Sequence, residues 1–276
     1  MNKIDGSVII TTKDKNSRLK LTLQALDMQV KKNNIEVVIV FDGCNKETIE
    51  EFDTITLSFL PIKVILEKNL GRSGARNEGI RSSKGDVLIF LDDDRIPSPN
   101  FIEENLKKHE DNCVVLSDRY EINYSEQELE NIYSSRKAVY NFKWFISSAK
   151  LDFYYHLKKI FLINSKMPLR YIAFTTGTVS IDRSIIKKVG LFDETFSGWG
   201  YEDVDLGYRI SKSGYKFFLI NSTKTYHITH TINKENKKYE EIKNLKHFSG
   251  KYKDDYLLQV ISKIRCILLR VGISPC

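Results

Sequence analysis

Residues 87 to 97 read Val87-Leu88-Ile89-Phe90-Leu91-Asp92-Asp93-Asp94-Arg95-Ile96-Pro97. Five apolar side chains in a row describe a buried strand. Three adjacent carboxylates follow, and they repel one another unless positive charge sits beside them. A divalent cation meets that need. Hard ions such as Mg2+ and Mn2+ take carboxylate oxygens and commonly share them with substrate phosphates. In extended chain Asp92 and Asp94 point to the same side. The tripeptide alone leaves a second reading open, a solvated acidic turn capping the next helix.

The flanking sequence repeats one unit. Gly6 to Thr12 reads as a first buried strand, and Leu19, Leu23, Leu26 and Val30 then recur at helical spacing with Ser17 placed to cap. Glu36 to Phe41 is a second strand ending in Asp42-Gly43, residues 46 to 53 make a short helix, and Ile62 to Leu66 is a third strand. The stretch from Asn69 to Gly79 opens a further helix, with small residues where it must lie close to a neighbour. After the strand at 87 to 91, Ser98 and Pro99 are placed as cap and first turn of the next helix. Alternating strands and helices with wholly apolar strands predict an α/β fold, a mostly parallel sheet covered on both faces. Ligands of such sheets bind outside the carboxyl ends of the strands. Thr11, Asp42 and Asp92 to Asp94 all fall there, so one crevice should collect them.

The second half is less regular. Residues 119 to 170 mix aromatics with lysines, and helices are expected around 126 to 140 and 147 to 162. This insertion is either an ordinary packed element or a wall that receives an acceptor. Thr175 to Ile181 reads as a strand, followed by a short helix capped by Asp182 and ended by Gly190. In Gly198-Trp199-Gly200-Tyr201-Glu202-Asp203-Val204-Asp205-Leu206, glycines lead into a helix whose first turn is acidic, which the helix dipole favours. That charge complementarity suffices for Asp205. His227 and His230, three apart beyond a strand at 217 to 220, are candidate metal ligands. From residue 251 onward, leucines and isoleucines interleave with Lys and Arg in a basic amphipathic helix, suited to packing on the domain or to lying on an anionic membrane.

The chain has 276 residues, room for one large domain at 1 to 250 with a helical extension at 251 to 276. Its formal charge of +7, with lysines concentrated after residue 230, suits anionic partners. No zinc-finger, recognition-helix or RNA-binding signature supports nucleic acid. Cys44, Cys113, Cys266 and Cys276 show neither CxxC nor zinc-ligand spacing and read as reduced thiols. No run of about twenty apolar residues predicts a spanning helix. The N-terminus goes almost directly into a strand without an apolar leader, and the expected location is cytoplasmic.

Together, four segments resemble family 2 glycosyltransferases of the GT-A fold, with a C-terminal half similar to the galactosyltransferase and polypeptide N-acetylgalactosaminyltransferase type. They are Ser7 to Thr12 for the opening strand, Asn69 to Gly79 for an N-x-G-x-x-x-A-R-N-x-G segment, Asp92-Asp93-Asp94 for the D-x-D, and Gly198 to Leu206 for G-W-G-x-E-D-x-D-L. The resemblance covers about residues 6 to 247. It implies a metal-dependent transfer from a UDP-sugar to an acceptor hydroxyl, with inversion, in glycan or glycoconjugate synthesis. The acceptor would be a glycan, a lipid-linked molecule or a peptide. Thr11 and Asp42 would contact uridine, Arg72 or Arg76 would lie by the base or diphosphate, and Asp92 and Asp93 would line the donor site. Asp94 would ligate Mn2+ or Mg2+, joined by Asp92 and by His227 or His230. Trp199 would form the acceptor floor, Asp203 would be the base, and Glu202 would hold a hydroxyl. Tyr201 departs from the glycine of the galactosyltransferase branch. Retention would instead follow the N-acetylgalactosaminyltransferase branch. A non-catalytic sugar-binding domain on this fold would usually lose Asp94 or Asp203. A nucleotidyltransferase would want a glycine-rich phosphate loop that Thr11 to Ser17 does not supply.

Overall fold

The computed structural model describes residues 4–109, 113–136, 141–152, 155–156, 169–230 and 233–270. The first half alternates β1 (Gly6–Thr12), α1 (Asn16–Lys32), β2 (Ile35–Asp42), α2 (Lys46–Asp53), β3 (Ile62–Leu66), α3 (Gly71–Ser82) and β4 (Val87–Leu91). A short strand β5 (Arg95–Pro97), α4 (Phe101–Lys108) and a long strand β6 (Val114–Ile122) follow. Next come α5 (Glu126–Ser134), α6 (Phe142–Phe145) and β7 (Lys150–Leu151). The remainder is a 3-10 turn (Arg170–Ala173), β8 (Thr178–Asp182), α7 (Arg183–Val189), α8 (Glu202–Lys212), β9 (Phe217–Ile228), α9 (Lys234–Lys251) and α10 (Tyr256–Arg270).

The strands form one sheet in the order β3-β2-β1-β4-β8-β6-β9-β5, with β7 on β6. From β3 to β4 every pairing is parallel, as the wholly apolar strands imply. Beyond β4 the directions mix: β8 runs antiparallel to both β4 and β6, whereas β9 runs parallel to β6 and antiparallel to β5. Alternating side chains serve two layers. Val8, Ile10, Ile39, Phe41, Ile89 and Leu91 pack under α1, α2 and α4. Ile9, Leu88 and Phe90 face α3, α7 and α8. Gly79 permits the close approach of α3, since a Cβ there would meet Ile9 Cγ2 at 2.5 Å. The carboxyl ends of β1, β2 and β4 consequently open on one side, where α8 begins.

Several local expectations change. Ser17 does not cap α1; Lys15 occupies that position without a side-chain capping bond, and Asn16 Nδ2 donates to the Thr48 carbonyl at 2.7 Å. Ser98 and Pro99 do not open α4, which starts two residues later after Asn100. Pairing with β9 takes precedence, because Arg95, Ile96 and Pro97 lie opposite His227, Tyr226 and Thr225, and Ser98 N donates to Lys224 O. Asp182 sits before α7 but makes no capping bond; its carboxylate accepts from Cys113 N at 2.6 Å and faces His109 Nδ1 at 3.0 Å. Residues 119 to 122 are the end of β6, so the irregular segment starts later than expected. Within it α5 stops at Ser134; of the helix expected at 147 to 162, residues 147 and 148 form a turn, Lys150–Leu151 is β7, Tyr155 and His156 are helical, and 153–154 and 157–162 lie outside the described residues. The strand expected at 217 to 220 extends to Ile228. The helix expected from residue 251 is α10, which starts at Tyr256 and packs on α9, with Leu258 buried against Tyr171, Tyr208 and Phe248. Among the described residues no helix is long and apolar enough to cross a membrane.

Candidate active site

A crevice of about 1130 Å³ lies over the carboxyl ends of β1, β2 and β4. Thr11, Asp42, Arg72, Arg76, Asp92, Asp93, Asp94, Trp199, Glu202, Asp203, His227 and His230 all line it, so every site residue expected from the sequence reaches one cavity. The topology explains this convergence. Thr11 and Asp42 terminate neighbouring parallel strands, the acids follow the next strand, and β9 brings the histidines back beside β5.

The three aspartates do not share one direction, because the chain turns at 92 to 94 instead of remaining extended. Asp92 Oδ2 meets Arg95 Nε at 3.3 Å, and its Oδ1 lies 3.8 Å from Arg76 Nη2. Asp93 accepts from Thr12 Oγ1 at 2.8 Å and faces Lys15 Nζ at 3.5 Å. Asp94 Oδ2 stands 3.6 Å from His227 Nε2, 3.5 Å from His230 Nε2 and 3.5 Å from Lys15 Nζ. Protein cations thus answer much of the repulsion that the acidic run creates. Burial raises the Asp93 carboxyl to about 6 against the pull of Lys15 and Thr12. Burial also opposes an ionised Asp94, but the two histidines outweigh it and hold that carboxyl well below its usual range.

Asp94, His227 and His230 form a group whose ligand atoms lie within 4.8 Å of one another, and Asp92 is not part of it. Ligands about 2.1 Å from a common ion at 90–110° are roughly 3.0–3.4 Å apart, so the 3.6 and 3.5 Å from Asp94 to the two histidines need only slight contraction. His227 Nδ1 lies 2.9 Å from Glu121 Oε2. A carboxylate there fixes the tautomer that leaves Nε2 free to ligate. The donor set of one carboxylate and two imidazoles therefore fits a divalent ion. Burial works against a charged His227, yet Asp94 and Glu121 outweigh it and push its pKa up.

Across the crevice, Glu202 and Asp203 differ in their surroundings. Glu202 is buried and accepts from Arg76 Nη1 at 2.9 Å, while its other oxygen, Oε2, has no hydrogen-bond partner. Asp203 is half-buried and Oδ1 accepts from Val204 N at 2.8 Å. Tyr201, just before them, has φ 72°, a left-handed conformation that a glycine adopts without strain and a side chain rarely does. Its ring packs 5.7 Å from Phe248 of α9. The glycine-to-tyrosine departure thus builds a wall between α8 and the C-terminal helices. Trp199 lies under Lys237 Nζ, 4.1 Å above the ring centroid. Asp42 Oδ1 accepts from Leu70 N at 2.6 Å. Burial raises the Asp42 carboxyl although the Leu70 and Gly71 amides oppose that.

Sequence reasoning missed several lining residues. Lys15 and Glu121 enter through contacts between segments far apart in the chain, whereas Arg95 pairs with Asp92 three residues before it. Arg95 is 2% exposed with Nη1 unpartnered, and Gly177 makes room for it: a Cβ there would meet Asp92 Oδ2 at 2.3 Å and Arg95 Nε at 2.7 Å. Arg119 also lines the crevice. Ile261, Ser262 and Arg265 carry α10 into the same cavity, a contribution that its basic amphipathic pattern does not mark.

The parallel β/α half, the mixed second half and the acid-rich crevice between them are the architecture of the GT-A fold. The model of glycosyl transferase family 2 matches residues 7–189, and the chain belongs to that family. It is 28% identical over 259 residues to the uncharacterized glycosyltransferase YfnE of Bacillus subtilis (strain 168), covering 83% of this chain and 66% of that protein. It is 32% identical over 250 residues to chondroitin synthase of Pasteurella multocida (strain Pm70), covering 82% of this chain and 25% of that protein. The chain thus spans less than two thirds of these relatives. A crystal structure of GalNAc-T7 with UDP, GalNAc and Mn2+ superimposes with a TM-score of 0.61 at 17% identity, over 90% of this chain and 48% of that one. S. aureus TarS 1-349 with UDP-GlcNAc gives 0.62 at 15% identity, over 89% and 65%. At such identities the likeness concerns the fold.

Proposed function

We propose that this domain transfers a sugar from a UDP-sugar to an acceptor hydroxyl, with a divalent metal and inversion at the anomeric carbon. The observation that carries the reading is the meeting, in one crevice, of the Asp94–His227–His230 group with Glu202 and Asp203. Thr11 and Asp42 receive the uridine, and Arg72 and Arg76 lie on the side of the diphosphate. Asp94, His227 and His230 hold Mn2+ or Mg2+, which when bound offsets the charge of the departing diphosphate. Asp92 and Asp93 line the donor side, oriented by Arg95 and by Thr12 with Lys15.

Asp203 accepts the proton of the attacking hydroxyl. At a helix N-terminus its ionised form is favoured, as a base requires. Glu202 is held by Arg76 through one oxygen, leaving the other for a sugar hydroxyl. Trp199 offers an apolar face to the acceptor. Attack opposite the departing diphosphate inverts the centre, so an α-linked donor gives a β product. Acceptors of this chemistry are glycans, lipid-linked molecules or peptides, and an exposed C-terminal helix face leaves room for a membrane contact.

The reading is tested by incubating the protein with a panel of UDP-, GDP- and CMP-sugars and Mn2+, following nucleotide release with and without mixed acceptors. Acceptor-stimulated UDP release supports it. Tight binding of a UDP-sugar with no turnover across the panel would replace it with a binding function.

A further inference from the structure

Helix α10 has two faces. Leu258, Ser262 and Leu269 are buried on one, and Ile261, Ser262 and Arg265 reach the crevice. The opposite side carries Tyr256, Ile264 and Ile267, which are 83%, 53% and 61% exposed, with the half-buried Val260 between them. Their spacing of four, four and three residues keeps them on one stripe. An apolar stripe of this size on a packed helix is uncommon unless something covers it.

The charges beside it indicate what covers it. Lys263 and Arg270 flank the stripe, both exposed, and Lys238 Nζ lies 3.5 Å from the Arg270 carbonyl at the same end. Helix α10 contains no acidic residue. Residues 234 to 270 hold ten basic and five acidic side chains, so this helical pair carries most of the +7 of the whole chain. Apolar side chains bordered by lysine and arginine match the acyl boundary and the anionic headgroups of a lipid surface.

We propose that the outer face of α10 docks on an anionic bilayer, with Tyr256, Ile264 and Ile267 entering the headgroup boundary while the inner face stays packed on α9. Because the same helix forms part of the crevice wall, docking sets the crevice about one helix diameter, roughly 10 Å, from the lipid surface. Only this last consequence rests on the glycosyl-transfer reading.

The test is flotation of the full chain with vesicles of phosphatidylcholine alone or with 30 mol % phosphatidylglycerol, at low and high salt. The expected result is binding to the anionic vesicles, weakened at least tenfold in 0.5 M salt, and weakened at least tenfold by Ile264→Glu with Ile267→Glu. A second variant, Lys263→Glu with Arg270→Glu, should lose anionic selectivity with unchanged melting, which covers any failure of the first to fold. Release of UDP from a UDP-sugar without vesicles should match the parent in both variants, so a failed donor assay and a failed docking assay are separable. No binding of the parent at low salt overturns the proposal. So does a dimer, seen by light scattering, that Ile264→Glu with Ile267→Glu dissociates, since a second copy would then be the occupant.

Discussion

Replacing Asp205 with Ala should loosen the join between α8 and the C-terminal helices. Its side chain is wholly buried, and Oδ1 accepts from Lys251 Nζ at 2.6 Å and from Tyr252 Oη at 2.7 Å. Oδ2 accepts from Arg209 Nε at 2.9 Å. Removing one member of a buried ion pair costs about 3–5 kcal/mol, mainly through the charge left behind. Here the partners keep other contacts. Lys251 also reaches Asp193 at 2.6 Å, and Arg209 donates to the carbonyls of Val189, Gly190 and Leu191. The loss should therefore fall at the lower end, about 3 kcal/mol. With an unfolding entropy near 2.1 cal/mol/K per residue, a chain of this length has about 0.6 kcal/mol/K, so Tm should drop by about 5 °C. Asp205→Asn keeps the shape and one acceptor and should lose about half as much. Thermal unfolding followed by circular dichroism measures both. A shift below about 1 °C for Asp205→Ala would refute the role of this carboxylate as the clip that holds the end of α9 to α8.

The other predictions concern the crevice. EDTA should abolish transfer, and Mn2+ or Mg2+ should restore it to the parent but not to Asp94→Ala; full activity of that variant in EDTA would contradict the metal site. The raised pKa of His227 makes a proton the competitor of the metal, so apparent Mn2+ affinity should climb as pH rises from about 6 to 8, and a flat profile would argue against His227 as a ligand. In calorimetry with Mn2+, UDP should bind more tightly than GDP, and Asp42→Ala should weaken UDP by about tenfold or more, the worth of a hydrogen bond to a charged group. Equal affinity for the two nucleotides would remove uridine recognition from Asp42.

The parallel half of the sheet was readable because each strand is a continuous apolar run and each helix has its own period, as in Val87 to Leu91 and Leu19 to Val30. Errors gathered where a contact between distant segments overrides a local signal. Ser98-Pro99 has the chemistry of a helix start, but pairing of 95 to 97 with β9 postpones the helix. Asp182 has the right position to cap α7, yet Cys113 N and His109 claim its carboxylate. In the crevice, motifs named the residues at strand and helix ends. They gave no sign of Lys15 or Glu121, whose places depend on the start of α1 and on β9 folding back onto the acidic turn. Asp205 stands in a motif where the helix dipole suffices to explain an acid; Arg209 is one turn on, but its other partners, Lys251 and Tyr252, lie more than forty positions away.

The central claim is that Asp203 removes the proton of an acceptor hydroxyl attacking a metal-bound UDP-sugar. Single-turnover transfer rates of the parent, Asp203→Asn and Glu202→Gln, measured beside UDP-sugar affinity, test it most directly. General-base catalysis contributes about 10²–10⁴-fold, so Asp203→Asn should slow transfer at least about a hundredfold with donor affinity nearly unchanged. Transfer by Asp203→Asn at near the parent rate, with Glu202→Gln inactive, would contradict the account and assign the base to Glu202.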